Sequence, residues 1–168
     1  MMSRIATAYE PFVISRIVNA PLARVWKAWT EEEQLKRWWG PKGNDILSVK
    51  LDLRPGGTMV YGLRAPDGLE YWGRFLFREI VPSTRLVFVV SFSDPEGQVK
   101  RNPWDMVWPL ETLSTVEFKD LGGKTEVTVR WTPLNATEAE EKAFDAGRES
   151  MTQGWGGTFD RLDDQLDK

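Results

Sequence analysis

The stretch TEAEEKAFDAGRESMTQGWGGTFDRLDDQL, residues 137–166, decides the fold. Its apolar residues Phe144, Met151, Trp155, Phe159, Leu162 and Leu166 recur at steps of seven, four, four, three and four, the spacing of one helix face. Thr137 followed by Glu140 is a capping box that opens it. A continuous helix of about 29 residues would be ~44 Å long and would lie across a whole domain whose radius of gyration is ~15 Å. A break at Gly147 is the alternative. Gly154, Gly156 and Gly157 each cost about 1 kcal/mol relative to Ala inside a helix, a penalty that makes sense where another element comes close or where space must be left beside the helix.

From Ile46 onward the period changes to two. Ile46 to Leu53, Thr58 to Arg64, Tyr71 to Val81, Arg85 to Phe92, Thr112 to Phe118 and Thr125 to Trp131 all read as strands. They are separated by Pro55-Gly56-Gly57, Pro66-Asp67-Gly68, Pro82-Ser83 and Gly122-Gly123, turns short enough to favour antiparallel neighbours. Upstream, Phe12 to Val18 is a further strand. Asn19 or Ala20 can cap the helix that follows, Pro21 suits its first turn, and Leu22, Val25, Trp26 and Trp29 share one face. Thr30 with Glu33 reads as a capping box for a second short helix carrying Leu35 and Trp38, stopped by Gly40-Pro41. The order β-α-α-β6-α is an α+β helix-grip arrangement, a curved seven-stranded antiparallel sheet around a C-terminal helix, which tends to leave a cleft between the two.

Composition narrows what such a cleft can do. With 168 residues, 41% of them apolar, one core is expected: residues 1–11 as an N-terminal extension and 12–168 as a single domain. The absence of cysteine and histidine removes disulfides, thiolate nucleophiles, imidazole bases and the common zinc ligand sets. A net charge of −3 gives no general attraction to nucleic acid or to anionic lipid, and neither is expected as a partner. With no apolar leader and no run long enough to span a bilayer, a cytoplasmic location is expected. Asn135-Ala136-Thr137 fits a glycosylation sequon but reads better as a helix start. No nucleophile-elbow, phosphate-loop or dinucleotide motif is present, nor a dense acidic loop, so no cofactor or metal is expected. Nine Trp, eight Phe and three Tyr suit a core or a ligand pocket.

A family resemblance rests on Ala20-Pro21 leading to Val25-Trp26, on Leu35 to Trp38-Trp39-Gly40-Pro41, and on Asp52-Leu53-Arg54-Pro55-Gly56-Gly57. Further on it rests on Asp67-Gly68 with Gly73, Arg78-Glu79-Ile80-Val81-Pro82 with Arg85-Leu86-Val87-Phe88, Leu113 to Phe118 with Gly122-Gly123-Lys124-Thr125, and Gly154-Trp155. In this order the chain resembles the START-like (SRPBCC) superfamily. Within it, the chain is similar to bacterial proteins resembling the C-terminal domain of the heat-shock protein 90 ATPase activator. The resemblance covers roughly residues 12 to 166 and implies a sheet wrapped on a C-terminal helix. It also implies one of several activities: hydrophobic-ligand binding, cyclase-like chemistry, self-sacrificing resistance, or a co-chaperone and stress-response role. The eukaryotic co-chaperone carries a separate N-terminal domain before this one.

Several segments have two readings. Trp38-Trp39-Gly40-Pro41 either frames a pocket mouth or anchors a helix end to the sheet. Met59, Tyr61 and Leu63 on one strand, with Tyr71, Gly73, Phe75 and Phe77 on the next, would line the concave side, leaving Trp72 and Leu76 outside. The connection from Ser93 to Leu110, with Trp104, Met106, Val107 and Trp108, is either a lid over the cleft or a loop packed on a sheet edge or a second subunit. Candidate ligand-binding residues are Met59, Tyr61, Phe75, Phe77, Trp104, Trp108, Met151 and Trp155; no catalytic residue is singled out. Three functions follow: a binding module for a small apolar or aromatic molecule, a module that contacts a chaperone or self-associates, and a cyclase- or hydrolase-like enzyme using a buried carboxylate or Tyr.

Overall fold

Alternating burial along β1 (Phe12–Val18), with both Phe12 and Val18 turned into the core, is the simplest sign of a half-buried strand. The computed structural model describes residues 9–167, so residues 1–8 of the expected N-terminal extension lie outside the described residues. β1 leads into α1 (Leu22–Thr30) and α2 (Glu32–Trp38), and then into six strands: β2 (Asp45–Leu51), β3 (Thr58–Arg64), β4 (Glu70–Val81), β5 (Arg85–Ser93), β6 (Glu111–Asp120) and β7 (Thr125–Leu134). The seven strands form one antiparallel sheet in the order β1-β7-β6-β5-β4-β3-β2. Cross-strand pairs Met59↔Phe75, Tyr61↔Gly73 and Leu63↔Tyr71 put the expected residues on one face. A register shift between Phe77 and Glu79 marks where the Pro55–Gly57 turn takes over the backbone of Phe77: Gly56 donates to its carbonyl at 2.8 Å and its N–H donates to Gly57 at 2.9 Å.

The closing helix is broken at Gly147, giving α3 (Glu138–Ala146) and α4 (Arg148–Leu166). The capping box of α3 forms with both bonds, Glu140 N–H to Thr137 Oγ1 at 3.1 Å and Thr137 N–H to Glu140 Oε1 at 3.0 Å. The one expected between Thr30 and Glu33 does not form. α1 and α2 are separated by Glu31 alone, which caps the end of one and the start of the other, so Thr30 still belongs to α1 and its hydroxyl donates to Trp26 O at 2.6 Å. The N-cap of α1 is Pro21 itself rather than Asn19 or Ala20, and its carbonyl accepts from Arg24 and Val25.

Between the helices and the concave face lies one aromatic core. Trp38 is fully buried and donates its indole N–H to Ala28 O at 2.9 Å, tying α2 to α1. Trp29 stacks on Trp155 of α4 at 6.2 Å and meets Phe118 of β6 edge-on at 5.8 Å. At the sheet edge Arg16 reaches from β1 to Asp163 (2.6 Å) and Asp160 (3.1 Å) on α4 and lies 5.5 Å over the Phe159 ring. α4 is thereby fixed at its middle and C-terminal turns. Towards α3 it parts from the sheet.

Candidate ligand-binding site

Where α4 and the sheet part, they enclose an open hollow of about 580 Å³. Its floor is aromatic. Trp39 meets Phe75 at 5.1 Å, Tyr61 at 5.5 Å and Trp155 at 5.8 Å, each edge-to-face, and Trp131 of β7 meets Trp155 at 5.8 Å. In the Trp38-Trp39-Gly40-Pro41 segment Trp38 ties the end of α2 to α1 through Ala28 O, while Trp39, Gly40 and Pro41 border the hollow. Gly40 has φ +114°, and a Cβ there would stand 2.9 Å from the Leu63 side chain, so only glycine turns the chain here without blocking the rim. Arg161 of α4 holds this turn, its Nη1 donating to Pro41 O at 3.1 Å and to Asn44 O at 2.9 Å.

The Ser93–Leu110 connection supplies the roof. Its first part folds back on the outer face of the sheet, where Gly97 O accepts from Arg74 at 3.3 Å. Its second part crosses the hollow as a strap. Asn102 ties the strap into a loop, accepting from the Trp104 and Met106 N–H groups (3.0 and 3.1 Å) and donating to Met106 O at 2.7 Å. Trp104 lies edge-on to Tyr71 (5.1 Å) and Phe92 (5.7 Å), and Trp108 packs on Phe144 of α3 at 5.5 Å. Trp104, Met106 and Val107 line the hollow and are also 44%, 58% and 59% exposed, so the roof is only half embedded.

Six of the eight candidate residues come together around this space: Tyr61, Phe75, Trp104, Trp108, Met151 and Trp155. Met59 and Phe77 do not reach it. They share the concave face, but towards the end of the sheet where core fills the interior; Met59 is 1% exposed and Phe77 is packed against Phe88 at 5.8 Å. Sequence reasoning left out Phe92 and Trp131, whose strands bring them to the same wall, and the low wall made by Ala143, Ala146 and Gly147.

No Asp, Glu, Lys or Arg occurs among the described residues lining the hollow. The titratable groups there are two phenols. Burial pushes the Tyr61 hydroxyl well above its ordinary value, with Tyr71 adding to the shift, while the buried Trp39 indole N–H, which has no hydrogen-bond partner of good geometry, opposes it. Burial pushes Tyr71 up to about 12, against the pull of Arg161, and its hydroxyl donates to Asn44 Oδ1 at 2.7 Å. Both are therefore neutral donors at physiological pH. Among the described residues no cluster of carboxylates could hold a metal ion, and no helix is long and apolar enough to cross a membrane.

The same architecture and sequence pattern occur elsewhere. The family model described as "Activator of Hsp90 ATPase homolog 1-like protein" matches residues 19–167. A crystal structure of a Mycobacterium smegmatis protein superposes with a TM-score of 0.73 at 26% identity, covering 92% of this chain and 88% of that one. A solution structure of an Arthrobacter aurescens protein gives 0.76 at 26% identity, covering 97% and 91%. One from Rhizobium leguminosarum gives 0.64 at 26% identity, covering 94% of each. Comparison with curated proteins finds no match.

Proposed function

The chain belongs to the Activator of Hsp90 ATPase homolog 1-like family, with a START/SRPBCC-type fold, and on that footing we propose that it binds a small, uncharged apolar or aromatic molecule between α4 and the sheet. The observation that carries this reading is an aromatic hollow of about 580 Å³ with no charged side chain on its wall. A guest burying about 300 Å² of apolar surface would gain about 7.5 kcal/mol, less the losses of immobilisation, which corresponds to micromolar or weaker binding. Tyr61, Tyr71 and Asn102 are the neutral polar groups that would orient it. Tyr61, Phe75, Trp104, Trp108, Met151 and Trp155 would supply the contact area. An enzymatic role through a buried carboxylate has no carboxylate on this wall to draw on, and phenols with raised pKa values are poor bases. Residues 12–168 act as one unit in this reading, in the cytoplasm.

Titrating a panel of neutral aromatic and aliphatic probes, read by Trp fluorescence and thermal shift, tests the reading. Saturable quenching with a rise in Tm is expected for some of them. No response across the panel would overturn it.

A second reading is favoured by the exposure of Trp104, Met106 and Val107 on the strap. Apolar groups so presented suit contact with another protein, and the family's description makes a heat-shock protein 90 homologue the first partner to try. Retention of the chain on an immobilised bacterial homologue, lost in a Trp104→Ala/Met106→Ala variant, is the expected result. No retention and unchanged ATP turnover would reject this version.

A further inference from the structure

We propose that Gly154 determines which guests the hollow accepts, and that these are flat, uncharged ring systems lying against the low strip of α3 and α4 around it. This rests on the ligand-binding reading above. Of the glycines at the start and middle of α4, two have a reason in the folded protein itself. A Cβ on Gly147 would stand 3.0 Å from the Trp108 ring, and one on Gly157 would stand 3.0 Å from the Lys42 backbone nitrogen. Gly154 has no such reason: a Cβ there meets nothing within 4 Å, yet Gly154 lines the hollow. The free space at Gly154 is the hollow's own, so a side chain at this position would occupy the site of the guest. The helix gives up propensity at residue 154 with no neighbouring residue that requires it.

Towards α3 the wall stays low, while Met151 and Trp155 of α4 stand beside it. Ala143, Ala146 and Ser150 carry no more than one heavy atom beyond Cβ, and they continue the low strip towards α3. Across the hollow stand rings, Tyr61 and Phe75 from the sheet and Trp104 from the strap. A low helical strip bordered by Met151 and Trp155, opposite ring walls without charge, is filled with least void by a flat apolar ring, whereas a bulky saturated cage leaves the corners empty. Gly156 provides the internal comparison. It is unconfined in the same way, but it is not on the hollow, and its carbonyl accepts from Arg16 Nη2 at 3.4 Å.

The experiment titrates the neutral fluorophore N-phenyl-1-naphthylamine into the wild type, Gly154→Leu and Gly156→Leu, with circular dichroism melts to confirm folding. 2-Naphthol and 1-adamantanol then serve as competitors. Binding about tenfold or more weaker in Gly154→Leu is expected, with Gly156→Leu within about twofold of the wild type and 2-naphthol displacing at least about tenfold better than 1-adamantanol. Gly154→Ala, which adds one methyl in open space and favours the helix, guards against misfolding: it should melt no lower than the wild type and bind more weakly. Equal binding by Gly154→Leu and the wild type, an equal loss in Gly156→Leu, or equal displacement by the two competitors would overturn the inference and leave the ligand-binding reading standing. A wild type silent to every probe would overturn that reading, and the inference with it.

Discussion

Trp155→Ala is the substitution that best separates an open hollow from a sealed core. Trp155 is 6% exposed and sits among four aromatic partners: Trp29 at 6.2 Å, Trp39 and Trp131 at 5.8 Å, and Phe159 at 5.5 Å. Truncating a buried Trp to Ala costs about 3–5 kcal/mol, and the upper end applies where the space left behind stays empty. One side of Trp155 borders a hollow open to solvent, so water fills part of the vacated volume, and the expected loss is about 3 kcal/mol. Trp38 is the comparison. It is fully buried, does not border the hollow, and on truncation would also orphan the Ala28 carbonyl, so about 5 kcal/mol is expected. For a domain of this size each kcal/mol moves Tm by about 2–4 °C, which gives drops of about 6–12 °C for Trp155→Ala and about 10–20 °C for Trp38→Ala. Urea unfolding followed by far-UV circular dichroism measures both without relying on the tryptophans removed, and unchanged m-values are required for the comparison. A loss in Trp155→Ala as large as that in Trp38→Ala would show that the space beside it stays dry and closed, and the reasoning would fail.

Two further perturbations test the helix start and the strap. Burial pushes the Glu140 carboxyl up, but the Thr137 N–H and the Arg101 guanidinium outweigh it and hold the pKa below the ordinary carboxylate value. Its contribution to stability is therefore present at neutral pH and lost as pH falls below the ordinary value of 4.5 and through the lower folded one, so the gap in urea midpoint between wild type and Glu140→Gln should be widest at neutral pH and close in acid; midpoints that run parallel down to pH about 3 would refute this. Asn102→Ala removes three bonds that fold the strap on itself and should speed chymotrypsin cleavage near Trp104 while moving Tm by no more than about 2 °C; unchanged cleavage would mean that the strap is held by its ring contacts alone.

The strands were legible because each keeps its own alternation between turns that stop it. Phe12–Val18 and Thr58–Arg64 begin and end in the structure where the sequence pattern does. The capping signal was less dependable. Thr137 with Glu140 forms its box because an irregular chain leads into it, whereas Thr30 with Glu33 has the same spacing but no room between two helices. At the hollow, alternation told which face of a strand points inward but not how far along the strand the core ends, so Met59 and Phe77 were counted with Tyr61 and Phe75. Trp131 was missed although it continues the inward alternation of Thr125, Val127 and Val129, because alternation does not say how far along β7 the hollow reaches. The low helical strip did leave a signal, the unusual number of glycines in a helix, which pointed to space beside α4 without saying at which residue.

The strand order also bears on how this chain assembles as it is synthesised. β2 to β7 each pair with a strand next in sequence, so that ribbon can zip up hairpin by hairpin as it emerges. β1 appears before the other strands, and among the described residues its strand partner is β7, with Phe12 set opposite Trp131. At ribosomal speeds of about 5–20 residues per second, β1 waits on the order of 5–20 s with its apolar side unmatched. In that interval the nascent chain offers a loose, greasy strand to whatever handles unfinished proteins.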